Sequence, residues 1–270
     1  MKRVSIIIPA KDKLSRLLLV LKALEPQVDE SVEVIIIFDG CNRQMIDEFR
    51  KIEFSCKPVM LVHERTLGRA RARNSGILAS CGEIALFLDD DRIPCPDFIA
   101  RHLDRHEKER CAVIGKRYNL HYTEEKINRL GRRGFSAADF EMIRQEASRE
   151  KFDWIKVCCQ CLLGNLLDCV TFTTGNSSVR RKDLLEVGMF DEKFSGWGVE
   201  DVDLGYRLIK AGVKIRRDYA VCNYHLVHPV DHGRQKEDYW RNFYYFAEKI
   251  RNDKAALFIA NLVNIFSPYN

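Results

Sequence analysis

Apolar positions in the first half of the chain alternate between two periods. Residues 4–8 form a short apolar run broken only by Ser5, the pattern of a strand buried on both faces. Leu14, Leu17, Leu18, Leu21 and Leu24 then recur at helical spacing, and Pro26 closes that segment. Residues 32–38 read as a second strand stopped by Asp39-Gly40. A helix over about 45–54 follows, with Met45, Phe49 and Ile52 on one face. Residues 59–62 read as a third strand, 69–80 as a helix and 84–88 as a fourth strand. Strand–helix alternation with short connections predicts a parallel α/β sheet, and such sheets bind ligands beyond the carboxyl ends of their strands.

From Tyr118 to about Cys169 the rhythm breaks. A charge-rich stretch with Arg129, Arg132, Arg133, Arg144, Glu146, Arg149, Glu150 and Lys151 leads into apolar sequence. It reads as a helical insertion, either a hinge or acceptor-binding element or a helical pair packed on the sheet. Regularity returns at Val170. Helices are expected over about 182–187 and 200–211, strands over about 213–217 and 220–224, and helices over 236–266. Phe258, Ile259, Leu262, Val263 and Phe266 form an amphipathic stripe, which favours core packing or a homodimer contact over membrane attachment.

Composition narrows the function classes. With 46% hydrophobic and 31% charged residues, the chain is globular rather than disordered. Its 270 residues bury a sizeable core without disulfides or metal. A net charge of +5 is too mild to call for a nucleic-acid partner, yet it tolerates a nucleotide phosphate. No uncharged apolar run reaches the roughly 18 residues of a membrane span. The opening apolar run is very short and is followed at once by Lys11, Asp12 and Lys13, so a first strand fits it better than a signal peptide. The cysteines are densest at Cys158, Cys159, Cys161 and Cys169. Cys158 and Cys161 have zinc-pair spacing, but no second pair matches them. Reduced thiols in a cytoplasmic protein, peripheral to a membrane at most, are the expectation.

Four stretches carry candidate chemistry. Asp89, Asp90 and Asp91 end the fourth strand, and three adjacent carboxylates repel unless a cation neutralises them. In extended chain Asp89 and Asp91 share a face, which suits Mg²⁺ or Mn²⁺ shared with substrate phosphates; a solvated acidic turn is the competing reading. Arg69, Arg71, Arg73 and Asn74 open the preceding helix, either to contact a nucleotide or as a solvated basic face. In Ser195-Gly-Trp-Gly-Val-Glu-Asp-Val-Asp203, two glycines flank an aromatic, allowing close backbone approach and a stacking platform. Glu200 and Asp201 then fall in the first turn of a helix, whose dipole favours their ionised form. Such a carboxylate serves as a general base or simply caps the helix. His225 and His228 follow the last strand, and either could complete a metal site with Asp91.

Taken together, Val4-Ser-Ile-Ile-Ile-Pro-Ala10, Ile37-Phe-Asp-Gly-Cys41, Ala72-Arg-Asn-Ser-Gly76, Leu88-Asp-Asp-Asp-Arg-Ile-Pro94, Thr174-Gly-Asn-Ser177 and Trp197-Gly-Val-Glu-Asp201 resemble the blocks of family 2 inverting glycosyltransferases of the GT-A fold, in family order. The tryptophan box is similar to that of chondroitin-polymerase-type and galactosyltransferase-type enzymes. The resemblance implies an α/β GT-A fold, a Rossmann-like, mostly parallel sheet flanked by helices, with a helical insertion. It implies one domain over 1–270: a nucleotide-binding half (1–116), the insertion (117–170), an acceptor and catalytic half (171–235) and C-terminal helices (236–270).

The resemblance also implies residue roles. Pro9 and Ala10 would line the nucleoside pocket, with Asp39 on the base or ribose and Arg73 beside it. Asp89, within the family's Asp-x-Asp element, would hold the sugar or ribose next to Asp90, and Asp91 would ligate Mn²⁺ or Mg²⁺. Gly175 and Asn176 would border the donor sugar, and Trp197 and Gly198 would shape the acceptor pocket. Asp201 would be the catalytic base, with Glu200 as its neighbour. The family's downstream metal-binding histidine falls at His228 or His225, and the segment His228-Pro-Val-Asp-His-Gly-Arg234 favours His228. Two departures stand out: Phe38 replaces the first of the family's paired acids, and Lys11-Asp12-Lys13 replaces small polar residues. The function implied is metal-dependent transfer from a UDP-sugar to an acceptor hydroxyl of a glycan, small molecule, lipid or peptide. A sugar-nucleotide nucleotidyltransferase and a non-catalytic sugar-binding module are the alternatives.

Overall fold

In the computed structural model, which describes residues 2–149 and 165–265, the apolar runs of the first half become strands β1 (Val4–Ala10), β2 (Val32–Asp39), β3 (Val59–His63) and β4 (Ile84–Leu88). They pair in parallel in the order β3-β2-β1-β4. Alternate residues go to opposite faces of a strand, and both faces here are covered. Ile6, Ile8 and Phe38 join the core that holds Leu17 and Leu21 of α1 (Leu14–Leu24) and Phe49 of α2 (Arg43–Arg50). Ile7, Ile35 and Ile37 pack with Ala72 and Ile77 of α3 (Arg69–Ala79).

Beyond β4 the sheet becomes mixed. β5 (Arg92–Pro94), α4 (Phe98–Lys108), β6 (Cys111–Leu120), α5 (Glu124–Arg133), α6 (Ala137–Glu146) and β7 (Ser148–Arg149) follow in sequence. After a 3-10 segment (Asn165–Thr171) come β8 (Asn176–Arg180), α7 (Arg181–Glu186), α8 (Glu200–Lys210), β9 (Lys214–Leu226), α9 (His232–Ile250) and α10 (Lys254–Ile265). The order continues β4-β8-β6-β9-β5. β8 runs antiparallel to both β4 and β6, β6 and β9 are parallel, and β5 is antiparallel to β9.

Apolar periodicity missed β5, β6 and β8, and β8 shows why. Its residues are Asn176-Ser-Ser-Val-Arg180, and Asn176, Ser177 and Ser178 are all buried. Polar groups replace the apolar face: His102 bridges Ser178 Oγ and Asn176 Oδ1 at 2.9 and 3.0 Å, and His106 Nε2 lies 2.8 Å from Ser178 Oγ. Burial pushes His102 down to about 3 and His106 to about 4, so both are neutral partners in this network. The two strands expected over 213–224 are one strand, β9, interrupted by a bulge where the register jumps from Gly115↔Asp218 to Lys116↔Cys222.

The fold brings four segments to one edge: residues 10–13 after β1, Asp39-Gly40 after β2, Asp89–Asp91 after β4, and the end of β9. Arg16 of α1 locks that edge, donating to the Leu226 carbonyl and pairing with Glu124 of α5, each at 2.7 Å. Ile259 and Val263 of the C-terminal stripe are buried in the core they share with α9; Phe266 and the Cys158, Cys159 and Cys161 group lie outside the described residues. Among the described residues no helix is long and apolar enough to cross a membrane.

Candidate active site

The three aspartates after β4 each have a different partner. Asp89 accepts from Arg73 at 3.2 Å and pairs with Arg92 Nε at 3.0 Å. Burial opposes its ionisation, but Arg92 and Arg73 outweigh burial and hold its carboxyl below the usual range. Asp90 is buried and accepts the Lys11 backbone N–H at 3.0 Å. Burial and the Asp91 charge push its carboxyl up. Asp91 faces the end of β9. Its backbone carbonyl accepts the Leu226 N–H at 2.9 Å, which fixes the two loops side by side.

Both histidines reach Asp91. His228 Nε2 lies 3.2 Å and His225 Nε2 3.8 Å from the same oxygen, Asp91 Oδ2. The three residues offer ligand atoms within 4.8 Å of one another. One carboxylate and two imidazoles form a mixed oxygen and nitrogen donor set of the kind that holds a divalent transition-metal ion. Burial holds His225 down at about 4, so it is a neutral imidazole near neutral pH. His228 Nδ1 lies 2.9 Å from the Pro229 carbonyl oxygen. Donation there leaves the Nε2 lone pair facing Asp91, the arrangement that orients a metal-binding imidazole. The residues therefore fit a divalent cation. Burial opposes ionisation of Asp91 too, yet His228, His225, Lys13 and Arg92 hold its carboxyl well below the usual range.

Arg73 joins this cluster to the tryptophan box. Its side chain is 4% exposed, and the guanidinium lies 3.2 Å from Asp89, 3.4 Å from Glu200 and 3.7 Å from Asp201. Asp201 also accepts the Thr174 hydroxyl at 2.7 Å and the Thr174 N–H at 3.2 Å. Burial and the Glu200 charge raise Asp201 to about 6, against the pull of Arg73 and Thr174. Both acids sit in the first turn of α8, and Val199 before them has φ +73°. A β-branched residue rarely takes that conformation. It is held by α9: Asn242 donates to the carbonyls of Gly198 (2.9 Å) and Ser195 (3.0 Å), and Asp238 accepts the Trp197 N–H at 3.2 Å. Gly196 and Gly198 have φ +74° and +93°, and a Cβ at Gly196 would sit 2.1 Å from Asp238 Oδ2. The glycines let the box turn tightly under the Trp197 ring, which lies 6.1 Å from Tyr239.

The remaining expected residues each have partners of their own. Pro9 and Ala10 end β1, and the Ala10 carbonyl accepts from Cys41 Sγ at 3.2 Å. Asp39 is buried, and its carboxylate meets His63 Nδ1 (2.9 Å), the Leu67 N–H (2.8 Å) and the Gly68 N–H (2.9 Å). It ties down the 63–68 loop. An open cleft of about 720 Å³ lies beside it, lined by Asp12, Gly40, Cys41, Asn42, Met45 and Glu48 among others. Gly175 touches the centre directly: a Cβ there would lie 2.2 Å from Arg92 Cζ and 2.4 Å from Asp89 Oδ2. The Asn176 side chain turns to His102 and the Lys116 and Val221 carbonyls, away from the acids. Sequence reasoning passed over Lys13, Thr174 and Arg92 as individual site residues. Lys13 was visible only as a departure from the family pattern, and its Nζ lies 3.3 Å from Asp91 Oδ2 and 2.8 Å from His228 Nε2.

Comparison with known proteins places this architecture. Solved structures of the same fold include one described as GalNAc-T7 with UDP, GalNAc and Mn²⁺ (TM-score 0.66, 15% identity, covering 95% of this chain and 49% of that one). Another is the mannosyltransferase PcManGT from Pyrobaculum calidifontis in complex with GDP-Man and Mn²⁺ (TM-score 0.63, 15% identity, 93% and 65%). The fold is that of the GT-A glycosyltransferases. The model for glycosyl transferase family 2 matches residues 5–168, and that for the N-terminal domain of galactosyltransferase matches residues 164–229. The chain belongs to glycosyl transferase family 2 and is a glycosyltransferase. It is 28% identical over 279 residues to the uncharacterized glycosyltransferase YfnE of Bacillus subtilis (strain 168), covering 93% of this chain and 71% of the relative. It is 28% identical over 239 residues to validoxylamine A glucosyltransferase of Streptomyces hygroscopicus subsp. jinggangensis (77% and 52%). Identity to the chondroitin synthase of Escherichia coli is 26% over 292 residues (98% and 42%). The chain thus spans about half the length, or less, of the last two relatives.

Proposed function

We propose that the protein moves a sugar from a UDP-sugar to an acceptor hydroxyl with inversion at the anomeric carbon, using Mn²⁺ or Mg²⁺ held by Asp91, His228 and His225. The observation that carries this reading is Arg73, whose one guanidinium meets Asp89 on the strand side and Glu200 and Asp201 on the box side. The donor's diphosphate and the acceptor hydroxyl would then lie on either side of this guanidinium. When bound, the cation supplies charge neutralisation for the departing diphosphate. Asp89, set by Arg92 and Arg73, orients the donor from residues 1–116, and Gly175 keeps the wall beside it thin. Asp201 takes the acceptor hydroxyl proton as the oxygen attacks the anomeric carbon. The new carbon–oxygen bond forms on the face opposite the breaking bond to the diphosphate, whose oxygen keeps the electron pair. Trp197 and Gly198 shape the acceptor side within 171–235, and Thr174 keeps the Asp201 carboxylate aimed.

The relatives named for validoxylamine A glucosyltransferase and chondroitin synthase support a hexose-type donor and a hydroxyl acceptor. A thermal-shift panel of nucleotide-sugars with and without Mn²⁺ tests the reading. A ligand at about 100 times its Kd stabilises the folded state by about 2.7 kcal/mol. A UDP-sugar should raise Tm by a few degrees when Mn²⁺ is present, and a panel in which no nucleotide-sugar moves Tm would remove the donor assignment.

A further inference from the structure

The cation-type cluster already contains a positive charge. Lys13 Nζ lies 2.8 Å from His228 Nε2 and 3.3 Å from Asp91 Oδ2, the same two atoms that the proposed metal site offers. His228 Nε2 and Asp91 Oδ2 lie 3.2 Å apart; with the imidazole proton on Nδ1, which faces the Pro229 carbonyl, both are acceptors, and the ammonium bridges them. The chain is built to aim it. Asp12 takes φ +49° and accepts the Asn42 N–H at 3.0 Å, which turns the loop after β1. The Lys11 N–H is anchored on Asp90 Oδ2, and Lys11 Nζ donates to the Gly40 carbonyl at 2.9 Å. Lys13 follows at the start of α1, its side chain one-third exposed and directed at Asp91.

We propose that Lys13 is a tethered cation that occupies the Asp91–His228 pair and must be displaced for a divalent ion to load. The inference rests on the metal site of the functional reading. Ammonium and metal cannot share the His228 Nε2 lone pair, so each weakens the other's hold. Lysine suits the task because its charge is a compact point on a flexible four-carbon stem that swings clear without moving the backbone. The consequence is a site that stays neutralised by Lys13 without metal and binds metal weakly until substrate phosphate oxygens add ligands.

The test is Mn²⁺ binding to the whole protein without nucleotide, followed by calorimetry and by the loss of the free Mn²⁺ electron paramagnetic resonance signal. Lys13 makes no side-chain cap to α1, so Lys13→Met leaves the helix start intact. Lys13→Met should bind Mn²⁺ about tenfold more tightly than wild type, the equivalent of one charge-assisted hydrogen bond no longer competing. Lys13→Arg should stay near wild type, because it keeps the competing charge. Unchanged or weaker Mn²⁺ binding by Lys13→Met, with wild type still binding, would overturn the tethered-cation proposal and leave the metal site standing. If neither protein binds Mn²⁺ whether UDP is absent or present, the metal site itself is refuted and the proposal goes with it.

Discussion

Replacing Arg73 with methionine probes the convergence of the site, and its cost can be worked from the structure. The guanidinium is buried and serves three carboxylates at 3.2, 3.4 and 3.7 Å. Removing one partner of a buried ion pair typically costs about 3–5 kcal/mol, because the other charge is left uncompensated. Asp89 keeps Arg92 at 3.0 Å, which places the expected loss near the lower end, about 3 kcal/mol at pH 8. The sign of the pH dependence follows from Asp201. Its folded-state value is raised to about 6 from an ordinary 3.8, so folding takes up protons between those values and this group's contribution falls as pH rises through them. Arg73 holds the raised value in check, so its loss carries the value higher and extends the window upward. At pH 5 Asp201 is largely protonated in both proteins, and the deficit should shrink to about half. Urea denaturation of both proteins at the two pH values measures this. A deficit under about 1 kcal/mol at pH 8, or a larger deficit at pH 5 than at pH 8, would refute the reasoning.

Two further outcomes follow from the same geometry. Gly175→Ala should break the Arg92–Asp89 pair, since its Cβ would fall 2.2 Å from Arg92 Cζ; donor affinity should drop at least about tenfold with a stability loss of about 1–3 kcal/mol, and wild-type affinity by calorimetry would contradict it. The kcat/KM for transfer should fall as pH drops below about 6, where Asp201 takes up the proton that disables it as a base; a profile flat down to pH 5 would exclude Asp201 from that role.

The legible parts of the sequence were those where one physical signal dominates. Buried parallel strands need apolar residues on both faces, so β1, β2 and β4 announced themselves. The chemical blocks were legible because a triple aspartate and a glycine-flanked tryptophan are costly unless a site uses them. β8 was hidden because its buried face is made of serine and asparagine satisfied by His102 and His106, a pairing set by tertiary contact rather than by local pattern. Arg73 could be picked out in sequence, but not its three-way contact, which depends on the α8 start folding back over α3. Lys13 read as a departure from the family, and only the approach of β9 to the β1 loop shows what it touches. Asp39 shows the converse. Its position was legible, while its engagement with the 63–68 loop rests on backbone N–H groups that no residue pattern displays.

The most direct measurement on the central claim is sugar transfer by Asp201→Asn, made alongside its thermal stability and its affinity for nucleotide-sugar. The substitution keeps the shape and a hydrogen-bonding oxygen beside Thr174 but removes the base. Folding and donor affinity should stay close to wild type while turnover falls about 10²- to 10⁴-fold. Turnover near the wild-type rate in a folded, donor-binding variant would contradict the assignment of acceptor deprotonation to Asp201.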